Sequence, residues 1–465
     1  MTVVGEAGER RMTTARAMSA MDATRAYEAA RATLPGANLQ WMSGLRARAL
    51  ERFGADGMPG TDVEEWRYTN LKGLGTVPFA SSGAAAASVL PELARLGDAP
   101  CHRIVLSNGR YAPELSSIGA LPDGVRVSTL ARMLEERPDL VKAYLEDPAD
   151  LVEERLSGIN DTRPFSLVAL NTALMTDGAV IRVDRGVVVD RPIHIIHLSG
   201  AEDFAGMIQT RSLVVAAENA EVDVVETFLP LPAERGNDNG TWTNSVVEVA
   251  VAADATVRHA KLQCDDGDAV HLAVTRVRVE KDGRYRNLTL TIGGRVARNE
   301  IRVALVGRGA ACRLDGVFLA RDAQSMDHLT RVDHRAPDGA STQVYRGVVD
   351  DRARTAFQGK VRVWPGAVRT SANQVNNNLL LSDTARADSK PELEILNDDV
   401  ACAHGATVGD LDADALFFLR SRGLDEAAAR ALLVEGFVGE LIAGAEHEVV
   451  RAHLSRAVRV WLERS

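Results

Sequence analysis

Lysine, cysteine and aromatic residues are all scarce in this chain, and each scarcity removes a class of function. Only six of the 54 basic residues are lysines, and the 64 acidic residues leave a net charge of −10. A chain with that balance offers no bulk attraction to phosphate, which argues against a general nucleic-acid or anionic-membrane binder. The four cysteines, Cys101, Cys264, Cys312 and Cys402, lie far apart with no C-x-x-C pair. A disulfide framework or a structural zinc site needs grouped ligands, so neither is expected, and a reducing cytoplasm is the simplest location. No run approaches the roughly 18–20 apolar residues of a membrane span. Residues 1–32 carry five arginines but also Glu6, Glu9, Asp22 and Glu28, which weakens a transit-peptide reading, and no secretory h-region is present. Neither a G-x-x-x-x-G-K-[ST] phosphate loop, a G-x-S-x-G elbow, an H-E-x-x-H pair nor a dinucleotide fingerprint occurs. An ATP-driven process would have to borrow a separate ATPase.

What remains is an ordinary globular composition, 46% hydrophobic and 25% charged, over 465 residues. That length predicts two or three units or one extended repeat core. Residues 23–33 and 38–53 have helical spacing, broken by Pro35-Gly36. The small, polar run 81–88 predicts a linker. A short strand at 103–106, a turn at Asn108-Gly109, and helices over 130–145 and 164–175 follow.

From Ala179 short β-rich runs succeed one another, each four to nine residues long and closed by a turn. Turns near Asn219, Asp254, Asp282, Gly309 and Asp338 fall 35, 28, 27 and 29 residues apart. A sandwich would pair neighbouring runs as hairpins, whereas a β-helix would stack them as coils. The near-regular spacing and the scarcity of Asn-Gly hairpin loops favour the β-helix, with a continuous apolar interior. Asn376-Asn377-Asn378 is expected at a coil corner. Beyond His404 the chain turns helical. Asp412 and Asp425 are N-cap candidates, Gly423 is a C′ candidate, and Leu432, Leu433, Phe437, Leu441 and Ile442 form an apolar stripe. The expected units are therefore residues 1–178, helical and mixed; 179–408, mainly β; and 409–465, helical.

Several segments are similar to one family. They are Glu65-Trp66-Arg67-Tyr68-Thr69, Gly359-Lys360-Val361-Arg362-Val363, the run QVNNNLLLS from Gln374 to Ser382, and Lys390-Pro391-Glu392-Leu393-Glu394-Ile395. Asp398 to Thr407 and Ala415 to Gly423 continue the match. Together they resemble the SufB/SufD family of the Suf iron–sulfur cluster assembly machinery, over roughly residues 60–440. The SufB pattern has Glu-His-Glu-Ala-Thr where this chain has Cys402-Ala403-His404-Gly405-Ala406-Thr407, which places the resemblance on the SufD side. The resemblance implies a right-handed parallel β-helix between helical N- and C-terminal domains. It also implies a non-catalytic scaffold that pairs with SufB and binds the ATPase SufC, with a homodimer as an option outside the complex. No cofactor is expected to be bound stably by the chain alone; iron or a cluster would be held transiently in the complex.

Cys402 and His404 are the constellation with chemical promise. In an extended segment, side chains two apart share a face, so a thiol and an imidazole could address one metal. The alternative is a packed thiol and a hydrogen-bonded imidazole. The resemblance places His404 near the SufB interface, and a partner would have to complete the ligand set. Cys264 and Cys312 read as packing. Met326-Asp327-His328 and Asp333-His334 could mark a metal site, but structural hydrogen bonding is the preferred reading. Lys360 reads as a salt bridge or as a polar group near the cluster path. Phe417, Phe418, Leu432, Leu433 and Phe437 exceed what short helices bury between themselves, and the resemblance makes them the contact for the ATPase. A β-helix carbohydrate-active enzyme, a polysaccharide lyase or hydrolase, is the rival from another class.

Overall fold

The computed structural model describes residues 20–72, 90–96, 100–145, 162–200, 206–231 and 240–463. The expected linker at 81–88 and most of the arginine-bearing N-terminal stretch lie outside these residues. Two sheets carry the architecture, with strands numbered along the chain. One holds β1 (His102–Ser107), β5 (Ile193–Ser199), β7 (Glu221–Pro230), β9 (Thr256–Gln263) and β11 (Arg284–Thr291). It continues through β13 (Ala311–Ala320), β15 (Ala340–Val349), β17 (Thr370–Leu380) and β19 (Val400–Gly409), and β2 (Arg110–Tyr111) closes its far edge. The other holds β3 (Val125–Thr129), β4 (Ala179–Val183), β6 (Met207–Ala216), β8 (Trp242–Val251) and β10 (Val270–Val279). Then come β12 (Val296–Leu305), β14 (Ser325–His334), β16 (Arg354–Val363) and β18 (Arg386–Ile395). From β4 onward the chain alternates between the sheets and each strand pairs in parallel with the next but one, giving a mainly β, parallel β-helix of about seven turns.

The corners explain the spacing seen in the sequence. Asn219, Asp254, Asp282, Asp338 and Arg369 have φ between 54° and 62°, and Gly309 takes 71° in the same series. That left-handed conformation favours Gly, Asn and Asp. The N–H of each donates to the carbonyl that precedes the next member: Asn219 to Ala253, Asp254 to Lys281, Asp282 to Arg308, Gly309 to Pro337 and Asp338 to Val368, all at 2.9–3.0 Å. One corner residue per coil therefore stitches each turn to its successor.

Inside, the packing interlocks. Gly316 on β13 pairs with Tyr345 on β15, and Phe318 pairs with Gly347. A Cβ added at Gly316 would lie 2.1 Å from the Tyr345 ring, and one at Gly347 would lie 2.1 Å from Phe318. Each ring thus fills the space over a glycine of the neighbouring coil, and the stack continues to Phe357, 4.5 Å from Tyr345.

Helices cover the outer faces. α1 (Ala20–Ala30), α2 (Gln40–Asp56) and α5 (Ser166–Leu174) lie with Trp66 over Met207, Trp242, Val270 and Leu272. α3 (Leu130–Glu136) and α4 (Pro138–Lys142) pack with Met42 and Leu45 beside Leu213 and Val215. Pro138 at the start of α4 splits what the sequence reads as one helix. α7 (Glu426–Ala443) and α8 (Glu448–Leu462) bury Val434, Val438, Leu441, Leu454 and Trp461 on the other sheet, against Leu262, Leu290 and Val317. α6 (Ala413–Ser421) has no buried residue.

The segment around Glu65-Trp66-Arg67-Tyr68-Thr69 straps the N-terminal unit to the solenoid. Arg298 stacks 4.1 Å over the Trp66 ring, Thr69 and Arg298 both bond Asp327, and Arg302 pairs with Glu65. Gln358 donates to the Glu65 carbonyl at 3.1 Å, and Lys390 reaches Glu64 at 2.7 Å.

Two expectations are corrected. Asn376-Asn377-Asn378 lies within β17, not at a corner, because strand alternation sends Asn376 and Asn378 inward and Asn377 outward. The interior is also not continuously apolar, since polar side chains fill one side of it.

The interlock predicts that Gly316→Ala lowers the free energy of unfolding by about 1–3 kcal/mol through overpacking. Adding Tyr345→Leu should recover part of that loss, read as a non-additive double-mutant cycle in urea denaturation. Additive losses would show that the ring has room to move.

Candidate functional site

The last coil differs from all the others. β18 and β19 contain no buried residue, and β19 ends its sheet with one edge unpaired. Cys402 and His404 both lie on β19, opposite Ala372 and Gln374 of β17. Those two partners are buried at 2% and 0% exposure, so both site side chains are on the strand's inward-facing side. Cys402 is half-buried against Val361, Val363 and Ala372, and burial raises its thiol pKa. His404 is exposed because no further coil follows it. Behind it a side-chain ladder recedes into the solenoid: Gln374 donates to Gln343 at 3.3 Å, and Thr330 donates to Gln343 at 2.5 Å.

The two donors therefore share a face, at the open end of the interior. Among the described residues no group of three or more His, Cys, Asp or Glu is placed to hold a metal ion. A thiol and an imidazole are a fitting but incomplete ligand pair for iron.

Strand alternation separates the other candidates. Asp327 faces outward to Arg298 and Thr69, while His328 faces inward, 3.1 Å from the Thr291 hydroxyl. Asp333 bonds Arg331 and the Trp364 indole, whereas His334 lies 2.8 Å from the Ser341 hydroxyl. These acid–histidine neighbours point to opposite faces and make no common site. Cys312 is buried and its thiol is pushed up to about 12, Cys264 packs beneath the helices, and Lys360 pairs with Glu394 at 3.2 Å.

On the helical side, Phe417 is 74% exposed, Phe418 55% and Leu432 48%. Phe437 packs partly on the core beneath α7, with Arg346 5.2 Å from its ring centroid. Leu433 is half-buried. The apolar stripe of α7 thus runs through Val434, Val438, Leu441 and Ile442 and leaves Leu432 outside.

Sequence reading missed the polar side of the interior. Glu226 lies 3.3 Å from His197 Nε2 and 3.0 Å from His259 Nε2. Burial opposes its charge, but these two hydrogen bonds hold it well below the usual carboxylate range. Lys261 donates to Asn299 at 2.6 Å, contacts His271 Nε2 at 3.0 Å and sits 4.7 Å over the Phe228 ring. Desolvation lowers its pKa to about 8, against the pull of Glu226 and Asp265. His271 Nδ1 in turn lies 3.0 Å from Asp265. Polar residues at alternate positions of β9 were the available signal, but their convergence depends on strand register.

Two family profiles match the chain: "SUF system FeS cluster assembly, SufBD core domain" over residues 197–437 and "SufBD protein N-terminal region" over residues 18–195. An iron–sulfur cluster assembly SufBD family protein of Synechocystis is 32% identical over 401 residues, 85% of this chain and 86% of the relative. The iron–sulfur cluster assembly protein SufD of Escherichia coli is 29% identical over 84% of this chain and 86% of its own. A SufBD family protein of Staphylococcus epidermidis is 25% identical over 86% and 84%.

Buried histidines give the fold a defined acid limit. Desolvation lowers His271, His334 and His453 to about 4 and His328 to about 3, with Lys261 adding to the effect on His271 and Arg456 on His453. An unfolded histidine titrates near ~6.5, so below that pH the unfolded chain takes up protons that the folded chain refuses. Stability is therefore full above about pH 6.5 and declines as pH falls toward 4. The Tm should drop steadily between about pH 7 and 5, and His453→Gln should make that slope shallower. A flat profile would show that these histidines titrate alike in both states.

Proposed function

This chain belongs to the SufBD family of iron–sulfur cluster assembly proteins, and on that premise we propose that it is a non-catalytic scaffold subunit with two separate docking surfaces. The observation that carries the reading is the uncovered last coil. An unpaired parallel edge with half-exposed neighbours is a template for strand addition, and a soluble protein needs it covered. A SufB-type homologue, built on the same kind of solenoid, would extend both sheets across this edge. His404 and Cys402 would then lie at the junction, where the partner's side chains complete a transient iron or cluster site. The His404 imidazole, without a hydrogen-bond partner among the described residues, has one nitrogen for a metal and one for an orienting hydrogen bond.

The second surface is the α6–α7 face. Phe417 and Phe418 on α6 and Leu432 on α7 are large apolar side chains left exposed, which suits a covering partner. A SufC-type ATPase would supply the phosphate loop that this chain lacks. Family membership speaks against the carbohydrate-active alternative.

Co-purification from cells tests both surfaces. Phe417→Asp with Phe418→Asp should abolish recovery of the ATPase and leave the solenoid folded by circular dichroism, because neither ring is part of the core. Undiminished recovery would remove the α6–α7 face from the proposal. His404→Ala should preserve both partners yet cripple cluster formation in the reconstituted complex, while Cys402→Ala should be milder if the thiol mainly packs. Wild-type cluster yield from His404→Ala would mean that the imidazole plays no part.

A further inference from the structure

A cavity of about 520 Å³ opens between the outer face of β7–β15 and the junction of α7 with α8, apart from Cys402 and His404. That size suits a small molecule. Strand register lays a row of side chains across its floor: Asp223, Arg258, Arg286, Arg313 and Thr342 on five successive strands. Like charges directly opposite one another on adjacent strands, about 4.8 Å apart, destabilise a sheet unless anions sit among them. The outer arginines have their own anions, since Arg258 pairs with Glu221 and Asp223 at 3.0 and 3.1 Å, and Arg313 pairs with Asp315 at 2.6 Å.

The middle of the row is different. Among the described residues Arg286 makes no ion pair with a carboxylate of the sheet and pairs with Glu446, which also reaches Arg258 at 2.5 Å. Glu446 comes from the α7–α8 connection, two residues before α8 begins. Burial and the neighbouring Arg258, Arg313 and Arg284 press the Arg286 pKa downward, and Asp315 on β13 opposes them only in part. Arg284, in the next row, is exposed and makes no side-chain hydrogen bond or ion pair among the described residues. The residues beside it in that row, Ala311 and Ala340, are small and leave the floor open. The first turn of α8 closes the rim with Val450, so its positive dipole end adds to the same field.

We propose that this cavity binds a small polyanion, a molecule carrying phosphoryl groups or paired carboxylates, with Arg284 and Arg286 as its principal contacts. Glu446 stands where one ligand anion would sit and swings away when the ligand enters. Forked guanidinium donors suit both anion types, so the shared chemistry is bidentate oxyanion recognition.

The test titrates the full chain with inorganic pyrophosphate and, separately, with citrate at fixed ionic strength, following heat of binding and Tm. Saturable binding of either probe is expected, weakened about tenfold by Arg284→Gln and by Arg286→Gln. Both side chains lie outside the core, so the variants should fold. Glu446→Gln removes the internal competitor and should tighten binding several-fold, a gain that damaged protein cannot give. Pyrophosphate alone binding assigns a phosphoryl ligand, and citrate alone assigns a polycarboxylate. Binding seen only in Glu446→Gln supports the site with Glu446 as a closed latch. Failure of both probes to bind wild type and Glu446→Gln overturns the proposal, as does binding that both arginine variants leave unchanged.

Discussion

A coil of this solenoid can satisfy its backbone N–H and C=O groups only against another coil. That requirement fixes the molecule's length, its corners and its unfinished end. Parallel pairing hands each strand's hydrogen bonds to the strand one turn on, and the left-handed corner residues do the same for the turns. Helices can cover outer faces, as α2 and α5 do on one side and α7 and α8 on the other. They cannot pair a strand edge. At β18 and β19 the supply of coils stops, and the interior surfaces there with Cys402 and His404 facing its opening.

The interior is divided lengthwise. Its apolar half is packed by matched shapes, rings over glycines, and leaves little freedom to repack. Its polar half holds Glu226, Lys261, Asp265 and several histidines, mutually bonded. Charges so placed rarely add net stability over well-packed hydrophobic side chains, but losing one partner strands the others at high cost. One half therefore supplies cohesion, and the other makes the register of the coils specific.

Much of the fold was legible because its signals are local. The 35-, 28-, 27- and 29-residue spacing of Asn219, Asp254, Asp282, Gly309 and Asp338 is the coil repeat itself, written in residues that tolerate positive φ. The caps Asp412 and Asp425 were legible for the same reason: each side chain accepts from a backbone N–H two or three residues on. Register was not legible. Arg258, Arg286 and Arg313 are 28 and 27 residues apart and become neighbours only when three strands align. The pairing of Glu226 with His197 and His259 depends on the same alignment. Asp327 and His328 could be read as hydrogen-bonding residues and not a metal site, because adjacency in a strand means opposite faces, although their partners Arg298, Thr69 and Thr291 depend on register. For the end site, the pair Cys402 and His404 could be read from its spacing, but its exposure follows only from the absence of another coil.

The strap at residues 64–69 bears on how the chain is made. Three of its hydrogen-bond partners lie 258 residues away at Asp327, 293 away at Gln358 and 326 away at Lys390. Trp66 can meet the Pro164 carbonyl and α5 early, but a ribosome must synthesise most of the chain before these three bonds can form. Contacts so distant in sequence form late, after the loop entropy between them has been overcome. The growing solenoid, in contrast, can add one coil at a time as each emerges, because every strand needs only its predecessor. Trp66 and its neighbours thus act as a clasp whose last bonds, to Asp327, Gln358 and Lys390, close only after the N-terminal helices have found β6, β8 and β10 to pack on.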